Sequence, residues 1–161
     1  MIRRATTADA AAMAAIYNHY VANTVVTFEE EAVPAADMAR RLGEVFAADL
    51  PWLVATEDDR VLGYAYANKW KARCSYRFSL ESTIYLDHAA TGRGLGTALY
   101  TTLIADMKTR GMHALIGGVA LPNAASLALH EKLGFKKVAH FREVGWKFNQ
   151  WIDVGYWELL L

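Results

Sequence analysis

The 161-residue sequence predicts a mixed α/β fold, one layer of strands with helices on its faces. Three observations predict it. Short β-rich runs alternate with longer stretches of helical periodicity, in the order β-α-α-β-β-β-α-β-α-β-β. Apolar residues make up 54% of the chain, and a chain of this size buries roughly 70% of its unfolded surface. No long repeat, low-complexity tract or Pro/Ser-rich linker breaks the pattern, so residues 1–161 are expected to form a single domain.

The IRR stretch reads as a short first strand. Thr7 can then cap a helix whose apolar positions Met13, Ile16, Tyr17, Tyr20 and Val21 recur at helical spacing. A second helix follows Pro34, with Met38, Leu42, Val45 and Phe46 on one stripe. WLVATE and VLGYAYANKW flank Asp58-Asp59-Arg60 as a hairpin. STIYLD is a strand leading into a glycine loop, and LGTALYTTLIADMKTR has helical periodicity. HALIGGVAL is a buried strand. The helix AASLALHEKL stops at Gly134, placed for a left-handed C-cap. KVAHFREVGWKF and DVGYWELLL close the chain as an antiparallel pair.

Composition narrows the function classes. Seventeen basic residues balance seventeen acidic ones, so no whole-protein field draws in nucleic acid or an anionic membrane. A single cysteine, Cys74, excludes an intramolecular disulfide framework and fits a reducing compartment. The start MIRRATTADA lacks an apolar h-region, and no apolar run approaches the ~20 residues of a membrane span. A cytoplasmic protein without nucleic-acid or membrane partners is expected.

The loop TGRGLGT, residues 91–97, concentrates the chemistry. A dinucleotide site needs such a loop after the first strand of a βαβ unit and an acid ~20 residues later. Here the loop is mid-chain, and no Asp or Glu lies between Asp106 and Glu131. A nucleoside-triphosphate loop needs Gly-Lys-Ser/Thr, and no lysine follows these glycines. A plain strand-to-helix turn stays open. So does an anion cradle: N–H groups at a helix start, with no Cβ in the way, suit a pyrophosphate. In that reading Gly94 and Gly96 allow close approach, Gly92 and Thr97 complete the turn, and Arg93 adds charge at the rim.

STIYLD, TGRGLG and GGVALPNAASLALHEKLGF together resemble the GNAT acyltransferase superfamily. More narrowly, YNHYVANTVVTFEEE, WKARCSYRFSLESTIYL, PNAASLALHEKLGF and VGWKFNQWIDVGYW are similar to its phosphinothricin N-acetyltransferase branch, which includes methionine sulfoximine and methionine sulfone acetyltransferases. The resemblance covers residues 2–160 in order. One position departs: the family's Gln or Arg three residues before Gly94 is Thr91 here. The resemblance implies a mostly antiparallel twisted sheet of about seven strands, splayed in the middle, with about four helices. It implies acetyl-CoA as co-substrate, with no metal, along the edge of Ile84, Tyr85 and Leu86. The loop Gly92, Arg93, Gly94, Leu95, Gly96 and Thr97 would hold the pyrophosphate, and Asn123 would lie near the thioester. A homodimer is the branch's usual assembly.

Acetylating an α-amine needs a proton acceptor, because an ordinary ammonium is mostly protonated at neutral pH. The resemblance places Glu81 in that role. It assigns a backbone N–H near Tyr85 to the developing oxyanion. Where many family members offer the leaving thiolate a tyrosine, this chain has His130, an acid or auxiliary base. Cys74 raises a thiol-carrier alternative; direct transfer is the family's habit. Lys69, Lys71, Arg73 and Arg77 lie within nine residues with no acid between them. Such a patch suits a small-molecule amine that also bears anionic groups, with Arg73 and Arg77 as bidentate anchors. Phe28, Cys74, Ser75, Tyr76, Ser82 and Thr83 complete the acceptor side by resemblance. Another amine acceptor, including a peptide N-terminus, or a non-catalytic acyl-CoA-binding module on the same fold remains open.

Overall fold

The computed structural model describes all 161 residues. Seven strands form one sheet in the spatial order β1-β2-β3-β4-β5-β7-β6: β1 Ile2–Arg4, β2 Trp52–Glu57, β3 Arg60–Lys69, β4 Ser79–Leu86, β5 Ala114–Leu121, β6 Lys136–Lys147 and β7 Gln150–Leu160. Four helices complete it: α1 Ala10–Asn23, α2 Ala35–Ala47, α3 Leu95–Thr109 and α4 Ala124–Lys132. The mixed α/β fold, its seven strands and its four helices are as the sequence predicts. One local expectation is corrected: Thr7 does not cap the first helix. Asp9 Oδ2 accepts from the Thr6 N–H at 2.8 Å and from its hydroxyl at 3.1 Å, so the cap is built on Thr6, one residue earlier.

A single cluster of 29 buried apolar residues fills both faces. Met13, Val21, Met38, Leu42 and Val45 come from α1 and α2, and Leu99, Tyr100, Leu103 and Met107 from α3. These are the helical stripes of the sequence, now closed on the sheet. Of the C-terminal tryptophans, Trp157 is core, whereas Trp146 and Trp151 lie exposed on the outer hairpin.

The central feature is where the sheet comes apart. All neighbouring strands are antiparallel except β4 and β5, which run parallel and pair only at Ser79↔Ala114, Leu80↔Leu115 and Glu81↔Ile116. β4 continues against β3 as far as Leu86↔Gly63, and β5 continues against β7 as far as Leu121↔Asp153. Beyond Glu81 the two middle strands therefore diverge. On one side of the wedge, α3 and α4 press in: a Cβ on Gly96 would stand 3.2 Å from Leu129 and 3.5 Å from Leu86. His130 leans directly on Gly117, where no side chain could be accommodated.

Candidate active site

The split leaves one edge of β4 unpaired, and the ladder's phase says which groups it exposes. The Asp87 N–H donates to the Leu62 carbonyl at 2.8 Å and the Trp70 N–H to the Ser79 carbonyl at 3.3 Å. Odd-numbered residues of β4 thus turn their backbone toward β3, and even-numbered ones toward the split. The amides of Ile84 and Leu86 face it. The Tyr85 N–H does not, because it lies in the ladder opposite Tyr64. The donor expected near Tyr85 is therefore not the Tyr85 N–H itself: its neighbours Ile84 and Leu86 hold the available amides. The Leu86 carbonyl accepts from the Tyr20 hydroxyl at 2.6 Å, which ties this edge to α1.

At the end of β4 the chain makes the glycine turn. Gly92 (φ +75°) and Gly94 (φ +80°) are left-handed, and nothing stands within 4 Å of where their Cβ atoms would be. That conformation costs an L-residue strain and costs glycine none. Gly94 caps α3, and the first bond across the cap runs from the Ala98 N–H to the Gly94 carbonyl at 3.1 Å. The N–H groups of Leu95, Gly96 and Thr97 have no intrahelical partner. They make a bare, positively polarised cradle at the mouth of the split, and its residues fit a pyrophosphate. Gly96 has a different reason from the other two: it is helical, and its smallness lets α3 close on Leu129 and Leu86. Arg93 is already engaged, donating to Glu57 at 2.6 Å.

Side chains of β4 alternate across the sheet. Glu81, Thr83 and Tyr85 face α1 and α2; the Tyr85 ring stands edge-on to Tyr17 with centroids 5.0 Å apart. Glu81 lies at the point of divergence, in a cleft of about 400 Å³ lined by Val26, Phe28, Gly118, Ala120, Phe141, Val144, Val154 and Tyr156. Burial in these apolar walls raises its carboxyl pKa above the ordinary 4.5, opposed only by the field of Lys71. Thr83 borders a smaller cavity of about 130 Å³ with Tyr66 and Tyr85. Ser82 is on the opposite face, within 3.3 Å of the Tyr100 hydroxyl, so its expected place on the acceptor side is corrected.

His130 is buried on that opposite face too. Its Nδ1 lies 2.7 Å from the Ser126 carbonyl, which carries no proton, so Nδ1 is the donor. Nε2 is then the lone-pair nitrogen and accepts from the Tyr100 hydroxyl at 3.2 Å. Burial lowers the imidazole pKa, outweighing the bond to Ser126. A neutral His130 whose one proton is committed has none to release; its geometry suits orientation of Tyr100. Asn123 caps α4, its Oδ1 accepting from the Ser126 N–H at 3.1 Å, which leaves its amide NH₂ free to donate to a ligand.

Arg73, Cys74, Ser75, Tyr76 and Arg77 lie together on the exposed connection between β3 and β4, outside the walls of the cleft. Neither arginine has a carboxylate partner; Arg77 donates to the Cys74 carbonyl at 3.2 Å and stacks 4.6 Å over Phe78. Trp70, at the root of this connection, stands edge-on to Tyr156 of the cleft at 5.6 Å. Most of the cleft wall escapes sequence reasoning. Phe141 and Val144 reach it through a bulge in β6, where Phe141↔Val154 is followed by Gly145↔Ile152. The one available signal was Gly117-Gly118 inside a strand, a mark of close approach. Gly117 admits His130, and a Cβ on Gly118 would meet Tyr156 at 3.0 Å and Glu81 at 3.6 Å.

A sheet opened beside a glycine-capped helix, with a half-buried carboxylate at the opening, is the arrangement that the resemblance to acyl-group transferases implies. Residues 2–155 match the family model described as an acetyltransferase (GNAT) domain, and the chain belongs to that family of N-acetyltransferases. It is 40% identical to a phosphinothricin N-acetyltransferase of Streptomyces viridochromogenes, over 98% of this chain and 85% of the relative. It is 37% identical to an L-methionine sulfoximine/L-methionine sulfone acetyltransferase of Salmonella typhimurium, over 99% and 94%. Among solved structures it matches a GNAT superfamily phosphinothricin acetyltransferase from Sinorhizobium meliloti in complex with acetyl-CoA. There the TM-score is 0.97 at 33% identity, over 100% of this chain and 88% of that one.

Proposed function

We propose that the protein transfers the acetyl group of acetyl-CoA to the α-amine of a small anionic amino acid of the phosphinothricin, methionine sulfoximine or methionine sulfone type. The observation that carries this reading is Glu81: a carboxylate of raised pKa, at the floor of a cleft, where a free strand edge begins. Acetyl-CoA would supply an activated acyl group. The cradle of Gly92, Arg93, Gly94, Leu95, Gly96 and Thr97 would hold its pyrophosphate, and Ile84 and Leu86 would face its arm. Asn123 would donate to it through its amide NH₂.

Glu81 would take the ammonium proton of the acceptor, directly or through a water. Its pKa, raised by burial, makes it a stronger base than a surface carboxylate. His130 and Tyr100 would position the opposite wall. Arg73 and Arg77 would meet the acceptor's anionic groups, with Phe28 shaping the pocket, Thr83 beside it, and Cys74, Ser75 and Tyr76 at its rim. A cationic acceptor fits less well, because Glu29, the innermost acid of the acidic run, is already paired with Arg41 at 2.5 Å.

The protein would act as one domain in the cytoplasm, without metal. No helix is long and apolar enough to cross a membrane. A homodimer would cover the exposed Trp146, Phe148 and Trp151 of the outer hairpin, and its mass is measurable by light scattering. The deciding assay is thiol release from acetyl-CoA in the presence of phosphinothricin, methionine sulfoximine or methionine sulfone. Turnover with at least one is expected; none with these acceptors would end the proposal.

A further inference from the structure

Lys147, the last residue of β6, is the one buried lysine, 1% exposed. No carboxylate pairs with it. Its ammonium donates instead to two main-chain carbonyls, Val21 at 2.8 Å and Thr27 at 2.9 Å. Val21 lies in the last turn of α1, where carbonyls lack intrahelical partners and the helix dipole favours a cation. Thr27 lies in the middle of the connection between α1 and α2. One side chain thus joins β6 to two separate segments, and both carbonyls depend on it for partners.

That connection is part of the cleft, since Val26 and Phe28 line it beside Glu81. Its other fastenings go to the helices at its two ends: Glu29 pairs with Arg41 of α2 at 2.5 Å, and the rest go to α1. The Tyr17 hydroxyl meets Thr27 Oγ1 at 2.5 Å, and Asn18 exchanges two bonds with Val33, at 2.9 and 2.7 Å. Two residues before Lys147, on the same face of β6, Gly145 receives the Phe28 ring; a Cβ there would overlap it. Gly145 supplies the space and Lys147 the tether. We propose that Lys147 is a positioning residue for the acceptor: it holds the Thr24–Val33 connection on β6 so that Val26 and Phe28 form the cleft wall opposite Glu81.

The inference rests on the reading that the acceptor occupies this cleft, so two independent readouts are needed. The first is amide hydrogen exchange of the whole protein. Lys147→Met keeps the length and volume of the side chain and removes both bonds. Exchange at residues 24–33 should accelerate by about tenfold, the scale of losing a buried charged hydrogen bond, while β2 and β3 stay protected. Unchanged exchange there, or an equal increase throughout the sheet, would overturn the proposal. The second is kinetic, using whichever of phosphinothricin or methionine sulfone the wild type acetylates. The acceptor KM should rise by about tenfold, with kcat at saturation and acetyl-CoA affinity held within about twofold. Loss of all three together would show a structural role only. Should Lys147→Met fail to fold, Gly145→Ala displaces Phe28 while keeping the ammonium, and the same KM rise is expected; an unchanged KM refutes the proposal. A wild type inactive on every acceptor defeats the functional reading alone, since the exchange result stands without turnover.

Discussion

The two halves of the site are built in opposite ways. The half proposed for the cofactor is main chain: the free edge of β4 and the glycine turn into α3, contiguous from Ser82 to Thr97. The half proposed for the acceptor is collected from five places: Val26 and Phe28, Glu81, Gly118 and Ala120, Phe141 and Val144, and Val154 and Tyr156. Main-chain donors survive substitution, so the cradle can form without a side-chain contact from Thr91. A side-chain wall depends on the register of four strands and on one bulge. The first half is therefore suited to a constant ligand, and the second to one that varies.

The largest test of this division is Glu81→Gln, on the boundary between the halves. Removing the base should lower turnover by about 10²–10⁴-fold and leave acetyl-CoA affinity unchanged by calorimetry. Surviving turnover would show that the proton goes elsewhere. The wild-type pH profile carries the same information. If Glu81 is the base, its active form is the carboxylate, so kcat/KM should fall as pH drops through a pKa raised above 4.5, and the Gln variant should lose that limb. Stability runs the other way. A carboxyl whose folded pKa is raised binds its proton more tightly when folded, so its ionised form costs stability above that pKa, and acidification relieves the cost. Glu81→Gln should melt no lower than wild type.

Next in size is the double variant Arg73→Ala/Arg77→Ala. Each lost charged hydrogen bond corresponds to roughly a tenfold or greater change, so the acceptor KM should rise by about 10–100-fold. Acetyl-CoA affinity should not move, and both residues are exposed without ion partners, so folding should tolerate the change. An unchanged KM would point to an acceptor without the expected anionic groups.

The same division explains what could be read in advance. Strand order, helical stripes and the glycine cradle are short-range patterns, carried by residues near one another in the chain. The splay is not short-range, and it was foreseen through the family resemblance alone: it follows from β4 leaving β5 after Glu81, a matter of the register of both strands. Tyr85 shows the limit at single-residue scale. Its position in the right strand was legible, but the direction of its amide depends on which neighbour β4 pairs with. Ser82 failed for the companion reason, since its side chain belongs to the other face. The β6 bulge and buried Lys147 left no local mark, because a lysine in a strand reads as solvated unless its carbonyl partners, over a hundred residues away, are known.

Two glycines of the cradle separate conformation from packing. In Gly94→Ala the Cβ meets nothing, so the whole effect is left-handed strain of ~1–2 kcal/mol, felt as a weaker cap and about tenfold weaker acetyl-CoA binding. In Gly96→Ala the backbone is helical and unstrained, and the cost arises where Cβ meets Leu129 at 3.2 Å. Neither should alter the acceptor KM. If Gly94→Ala raised it, the halves would be coupled more closely than their construction implies.

The smallest effect lies at the rim. Arg93 and Glu57 form an ion pair at 2.6 Å, each about half exposed. Exposed pairs are worth about 0.2–1 kcal/mol and are screened by salt. If Arg93 leaves Glu57 to meet the pyrophosphate, the pair is a small tax on binding, and Glu57→Gln should tighten acetyl-CoA by at most about fivefold, less at high ionic strength. If the pair instead holds the loop in its binding shape, the same variant should weaken binding. Calorimetry at two salt concentrations separates these outcomes by sign. A change in acceptor KM from a residue this far along β2 would contradict the separation of a main-chain cofactor half from a side-chain acceptor half.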